Sequence, residues 1–202
     1  MAWNTVHEIG RKIIHITILF VLAAYFFIQN KFIELGYTAI LAKQVALLFV
    51  VAMLILFLVL EYFRLELGWK MPFFSQFIRP KEQNRMYGVI YFLSATIISL
   101  AVFDYKIALA ALLMTTFGDM VAALLGKKYG TTLIYKNKTW VGFLGELITN
   151  LIVGFIILDS IYVILGMAFV ATIVETMADE LDDNLLIPLF SGFVGQIILF
   201  SL

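Results

Sequence analysis

Five acidic side chains crowd one short stretch near the end of the chain: Glu175, Asp179, Glu180, Asp182 and Asp183, with no cation between them. Crowded carboxylates repel one another and need a counter-charge. A divalent cation and basic residues brought from elsewhere in the chain are the available candidates. Oxygen ligands without His or Cys suit Mg2+ rather than Zn2+. His7 and His15 are the only histidines and cysteine is absent, which excludes a multi-His metal site, a Cys-based zinc site, thiolate catalysis and disulfides. The structural alternative for the acidic stretch is a solvated turn.

Two further acids stand alone inside long apolar runs. Asp119 is the only charge in 107–126, and Glu146 the only one in 139–158. Gly118, Ala122, Gly126 and Gly130 recur at four-residue spacing, a small-residue stripe that lets a neighbouring helix or a ligand approach the backbone closely. Asp119, Ala123 and Gly126 form the adjoining stripe. Gly142, Glu146 and Asn150 share a helix face by the same spacing. Lys138-Thr139 precedes them, where a helix N-terminus can take anionic oxygens. A Thr N-cap followed by a Glu that favours the helix dipole is the competing structural reading. Near the start, Arg11 stacks under His15 beside Lys12, at the entry to another apolar run.

The elements that must position these groups are membrane helices. Apolar runs cover 13–30, 44–60, 86–103, 107–126, 139–158, 160–174 and 184–202. A bilayer core of about 30 Å needs roughly 20 mostly apolar residues per helix, so tight spans with little tilt are expected. The composition is 63% hydrophobic and 14% charged, with mean hydropathy +1.01. Soluble domains are about 25% charged, which argues against a soluble fold. The reading is all-α: one polytopic membrane helix bundle of about seven transmembrane helices over 1–202, with the first run taken as a span rather than a cleaved signal. Its partners are then membrane lipids, and nothing in the charge pattern calls for nucleic acid.

With seven spans, Arg11, Lys12, Arg64, Lys70, Arg79, Lys81, Arg85, Lys127, Lys128, Lys136 and Lys138 share one side, and Lys31, Lys43 and Lys106 the other, accounting for all 14 basic residues. The positive-inside rule puts the N-terminus in the cytosol and the C-terminus outside, in the plasma membrane if the source is prokaryotic. The acidic stretch falls on the same cytosolic side as the basic loops. Cations for phosphates and carboxylates for a metal together make a Mg2+–nucleotide site. The segment with Trp69, Phe73, Phe74 and Phe77, broken by Pro72 and Pro80, reads as an interfacial anchor or the cover of a lipid-access groove. No Walker or protein-kinase motif set is present.

Four elements in order resemble one family: Arg11-Lys12-x-x-His15; Gly118-Asp119-x-x-Ala122-x-x-x-Gly126-x-x-x-Gly130; Lys138-Thr139-x-x-Gly142; and Glu175 followed by Asp183-Asn184-x-x-x-Pro188. They look like the polyprenol kinases, which include the CTP-dependent dolichol, phytol and yeast-type diacylglycerol kinases. Arg79-x-x-Glu82 looks similar too. The middle block is shared with the phosphatidate cytidylyltransferases, but their Lys-Asp and Pro-Gly-His-rich C-terminal features are missing. Val141 departs from both families, which usually carry Glu there; Glu146, one turn on, is the nearest acid.

The resemblance implies a kinase that phosphorylates the hydroxyl of a membrane lipid alcohol, such as a polyprenol, dolichol, phytol or geranylgeraniol, with CTP as donor and Mg2+ as cofactor. It implies Asp119, Lys138 and Asp183 as catalytic residues. Gly126, Lys127, Lys128, Gly130, Lys136, Thr139, Gly142 and Asn184 would bind nucleotide or phosphate. Arg11, Lys12 and His15 would line the substrate entrance. Asp119, Glu146, Glu175, Asp179, Asp182 and Asp183 would hold the metal. Alternatives are CDP-lipid synthesis and a small membrane transporter, the latter predicting midplane polar groups and an internal repeat. The choice of alcohol and the oligomeric state are not legible in the residues.

Overall fold

A computed structural model describes residues 5–68, 86–178 and 181–202, with side chains from Leu19 onward. Among the described residues the chain is an all-helical bundle: α1 (Thr5–Glu34), α2 (Ala39–Glu66), α3 (Gly88–Val102), α4 (Tyr105–Tyr129), α5 (Trp140–Ile157), α6 (Ile161–Met177) and α7 (Asp183–Ser201). One addition was not foreseen. Two short antiparallel strands, β1 (Leu133–Tyr135) and β2 (Lys138–Thr139), form a hairpin between α4 and α5. Four helices, α2, α4, α5 and α7, are long and apolar enough to cross a membrane, and α3 and α6 are shorter apolar helices.

The chain divides into two compact units, Met1–Ile97 and Ile98–Leu202. In the first, α1 and α2 pack as a helical hairpin. Gly36 turns the chain at φ +87°, a left-handed geometry that glycine adopts without steric cost. Thr38 then caps α2, its Oγ1 accepting from the Leu41 N–H at 3.3 Å. Ala42, Ala46 and Val50 repeat every four residues on the buried side of α2. At its far end, buried Glu61 accepts a two-pronged bond from Arg64 at 2.6 and 2.8 Å and another from the Tyr87 N–H at 2.9 Å.

In the second unit α4 is the central helix, in contact with α5, α6 and α7. Sixty-one per cent of its apolar window is buried, against 33% for α5 and 28% for α7. Asp104 caps its start, its Oδ1 accepting from the Lys106 N–H at 3.0 Å. Gly130 ends it, donating its N–H to the Gly126 carbonyl at 3.0 Å. The faces of α5 are inverted relative to a soluble helix. Ile148, Ile152 and Phe155 are exposed, whereas Gly142, Glu146 and Asn150 are buried. Ionisable groups that face the bundle interior while apolar ones face outward are the pattern of a membrane helix.

Candidate active site

The Gly118, Ala122, Gly126 stripe of α4 faces the Gly142, Glu146, Asn150 face of α5. A Cβ added at Gly142 would stand 2.9 Å from the Ala122 carbonyl oxygen and 3.5 Å from Gly126 Cα. One added at Gly118 would stand 2.5 Å from Asn150 Oδ1 and 3.1 Å from Glu146 Cγ. So α4 and α5 approach backbone to backbone near the hairpin, and slightly deeper α4 lies against the polar side chains of α5. Asp119, next to Gly118, is buried.

Glu146 and Asn150 join a network that reaches α6. Asn150 Nδ2 donates to Thr172 Oγ1 at 3.1 Å and, at the long limit of 3.5 Å, to Glu146 Oε1. Thr172 in turn donates its hydroxyl hydrogen to the Ala168 carbonyl at 2.9 Å. One turn along α6, buried Glu175 accepts an ion-paired hydrogen bond from Lys138 Nζ. Glu146 lies within hydrogen-bonding reach of the Glu175 carboxyl group and within electrostatic range of Lys138. A cluster with one ammonium and two carboxylates is thereby assembled from β2, α5 and α6, against the Gly118 backbone of α4.

The hairpin delivers Lys138 to this place. Tyr135 pairs with Lys138 across a two-residue turn, Lys136-Asn137. Lys136 occupies the left-handed region at φ +45°. Thr139 then ends β2 and caps α5, accepting from the Gly142 N–H at 3.2 Å. The Thr N-cap reading is therefore correct, and the same cap fixes Lys138 beside the start of α5. Thr139 Oγ1 also packs close to Gly126 and Gly130 on α4.

The other candidate residues lie around this cluster or apart from it. Lys127, Lys128 and Lys136 are exposed. The ammonium of Lys128 lies over the Tyr129 ring at 5.0 Å and that of Lys136 over Tyr135 at 5.4 Å. Asp182 caps α7 and accepts from Asn184 through N–H and Nδ2, at 3.1 and 2.7 Å. Asp183 Oδ1 also accepts from Asn184. The described part of the acidic stretch is thus in part a helix cap, with Glu175 buried and Asp182 and Asp183 half-buried rather than a freely solvated turn. Asp179, the side chains of Arg11, Lys12 and His15, and the Arg79-x-x-Glu82 loop lie outside the described residues.

Among the described residues no group of three or more His, Cys, Asp or Glu side chains is placed to hold a metal ion. The fit of a hard cation rests on smaller sets. Glu146 Oε2 and Asn150 Oδ1 are buried acceptors without a hydrogen-bond partner, and oxygen acceptors of this kind are what Mg2+ takes. Asn150 and Thr172 were missed as site residues by sequence reasoning. The signal for Asn150 was present in its spacing from Glu146, whereas Thr172 sits in an uncharged run with nothing to single it out.

Two curated proteins are similar to this chain in sequence. The chain is 31% identical over 148 residues to CTP-dependent diacylglycerol kinase 1 of Saccharomyces cerevisiae, covering 68% of this chain and 46% of that one. It is 29% identical over 141 residues to CTP-dependent diacylglycerol kinase 1 of Schizosaccharomyces pombe, covering 60% of this chain and 65% of that one. The chain is a relative of the CTP-dependent diacylglycerol kinases. It spans about half to two-thirds of the length of those relatives. No family model matches the chain, and no solved structure does. The resemblance first carried by Asp119, Lys138, Glu175 and Asp183-Asn184 now has beside it a similarity over 60–68% of the chain.

Proposed function

We propose that this chain, taken as a single integral membrane domain over 1–202, transfers the γ-phosphoryl group of CTP to the hydroxyl of a membrane lipid alcohol. One observation carries the reading: Lys138 pairs with buried Glu175 beside Glu146, in a relative of the CTP-dependent diacylglycerol kinases. The names of the relatives make diacylglycerol the first acceptor to test, ahead of polyprenol, dolichol, phytol and geranylgeraniol. The lipid hydroxyl oxygen attacks the γ-phosphorus, the bond from that phosphorus to the β–γ bridging oxygen breaks, and CDP leaves. The hydroxyl proton passes to a carboxylate, for which Asp119 and Asp183 are the candidates.

Phosphoryl transfer asks chiefly for positioning and charge neutralisation. Lys138 serves that need by moving from Glu175 to a phosphate oxygen. Lys127, Lys128 and Lys136 attract the nucleotide from the cytosol. Gly126, Gly130, Gly142 and the Thr139 cap allow phosphate to approach backbone N–H groups. Asn184 bonds cytosine or phosphate. Arg11, Lys12 and His15 steady the polar head of the lipid. Mg2+, when bound, neutralises phosphate charge; Asp119, Glu146, Glu175, Asp179, Asp182 and Asp183 are the acids from which its ligands are drawn.

The test uses purified full-length protein with CTP labelled at the γ or the α phosphate and a panel of lipid alcohols. The γ label is expected in the lipid and the α label in CDP. Transfer of the α label into lipid would mean CDP-lipid synthesis instead. Asp119→Asn is expected to abolish transfer while leaving membrane insertion intact, and full activity in that variant removes Asp119 from the mechanism.

A further inference from the structure

Helices α5 and α6 meet rung by rung. Near the hairpin, Glu146 reaches the Glu175 carboxyl group. One turn along α5, Asn150 Nδ2 donates to Thr172 Oγ1 at 3.1 Å. A further turn along, a Cβ added at Gly154 would stand 2.8 Å from Ile164 Cγ2. The positions climb on α5 as they descend on α6, which is the register of two antiparallel helices. The middle rung is a directional bond between neutral groups, and both of its residues are 0% exposed. Thr172 gives its hydroxyl hydrogen to the Ala168 carbonyl at 2.9 Å, so toward Asn150 it only accepts. That orients the amide, with Nδ2 on Thr172 and Oδ1 against Gly118 of α4, where a side chain would run into it. Asn150 therefore touches α4 and α6 at once.

Apolar packing does not choose this register by itself. Lipid tails are as apolar as the side chains of a neighbouring helix, so close packing and interhelical hydrogen bonds decide how membrane helices sit. Val163, Ile164, Ala168 and Ala171, buried along α6, are aliphatic and have no directional partner to prefer. A single buried polar side chain is enough to set the register of packed helices. Thr172 and Glu175 are three residues apart and share a face of α6. A slip of one helical turn, about 5.4 Å, would break the Asn150–Thr172 bond and carry Glu175 away from Lys138.

We propose that Asn150 and Thr172 are positioning residues: their hydrogen bond sets α6 against α5 so that Glu175 meets Lys138. They act through that pair and not on the substrate. The reaction they serve rests on the kinase reading, whereas the register rests on the helix contacts alone.

The experiment reads Lys138 directly. Purified protein is treated with an amine-acylating reagent, and the rates at Lys138 and at exposed Lys128 are compared by mass spectrometry. In the wild type, Lys138 is ion-paired with Glu175 and is expected to react more slowly than Lys128. Thr172→Val keeps the shape and removes the acceptor. It should bring the Lys138 rate up to that of Lys128 and lower kcat on the order of a hundredfold, as a small misplacement of a reacting group does, with KM for CTP near its wild-type value. Thr172→Ser keeps the acceptor and should match the wild type in both readouts. Because Thr172→Val leaves the buried amide unpaired, Asn150→Leu is added to it; replacing both polar partners by apolar groups of similar shape costs little stability. That double variant is expected to melt near the wild type and still show the fast Lys138 and the low kcat. Wild-type kcat or a protected Lys138 in the double variant overturns the proposal, as does a Thr172→Ser that behaves like Thr172→Val. A fast Lys138 in Thr172→Val, in a protein that moves no phosphate from any nucleotide, supports the register and rejects the kinase reading.

Discussion

Lys138 is held by Glu175, an acid that it leaves in the proposed reaction. Its side chain is 35% exposed and that of Glu175 4%, so the pair sits at the edge of the buried network with the acid inside. Removing the lysine strands Glu175 beside Glu146. Removing one partner of a buried charged hydrogen bond costs the desolvation of the group left behind. Lys138→Met is therefore expected to lower stability by about 1–3 kcal/mol and to abolish phosphoryl transfer. Adding Glu175→Gln removes the stranded charge, so the double variant should recover most of the stability and none of the activity. Denaturation in detergent by a double-mutant cycle measures the first effect, and γ-label transfer the second. A double variant as unstable as Lys138→Met would show that the pair is not the source of the loss. Both residues stood out in the sequence, one at the end of a basic loop just before an apolar run and one in an acidic stretch. Their direct pairing across 37 positions did not, because helix packing alone sets it.

The helices themselves were legible because charge is so costly in a bilayer that it marks where spans stop. The runs at 107–126, 139–158 and 184–202 became α4, α5 and α7 with ends shifted by a few residues. The β1–β2 hairpin was not legible, since Leu133–Tyr135 and Lys138–Thr139 are too short for an alternating pattern and the Lys136-Asn137 turn lacks glycine. Glycine spacing announced a close contact but not its partner. The contact now ranks the glycines. At Gly142 a new methyl meets the Ala122 carbonyl oxygen at 2.9 Å, Thr139 Oγ1 at 3.3 Å and Gly126 Cα at 3.5 Å, and the nearest of these is backbone that cannot rotate away. At Gly145 the nearest atom is the far end of the flexible Leu125 side chain. Gly142→Ala should thus cost about 1–3 kcal/mol, as overpacking does, and Gly145→Ala less. Gly118→Ala presses on Asn150, so its cost should shrink in an Asn150→Ala background. Thermal unfolding of the five variants, the Asn150→Ala single and its double with Gly118→Ala included, decides the order, and equal costs at Gly142 and Gly145 would refute the backbone contact between α4 and α5.

At the scale of the molecule, the second unit has two polar ends. At one, Lys106 pairs with exposed Asp159 at 2.5 Å, and the Asp104 N–H donates to Gln196 Oε1 at 2.6 Å. At the other stand Lys127, Lys128, the hairpin and the Lys138–Glu175 pair. The 25 residues of α4 between them rise about 1.5 Å each, enough to cross a hydrocarbon core of about 30 Å. Lys106 thus stands at one end of the unit and Lys127, Lys128, Lys136 and Lys138 at the other, and the positive-inside rule would put the site-bearing end in the cytosol. The chain holds no cysteine, so a single cysteine placed anywhere is a unique label. Cysteines replacing exposed Asn137 and Asp159 sit at opposite ends of the unit and lie outside the apolar helices. In sealed right-side-out vesicles, a membrane-impermeant maleimide should label position 159 at once and position 137 only after permeabilisation. Inverted vesicles should reverse the order. Labelling of both positions from one side would place the hairpin and the Lys106–Asp159 end in the same compartment. The nucleotide would then have to reach Lys138 from the side that the basic loops do not mark, and the delivery of CTP from the cytosol would fail with it.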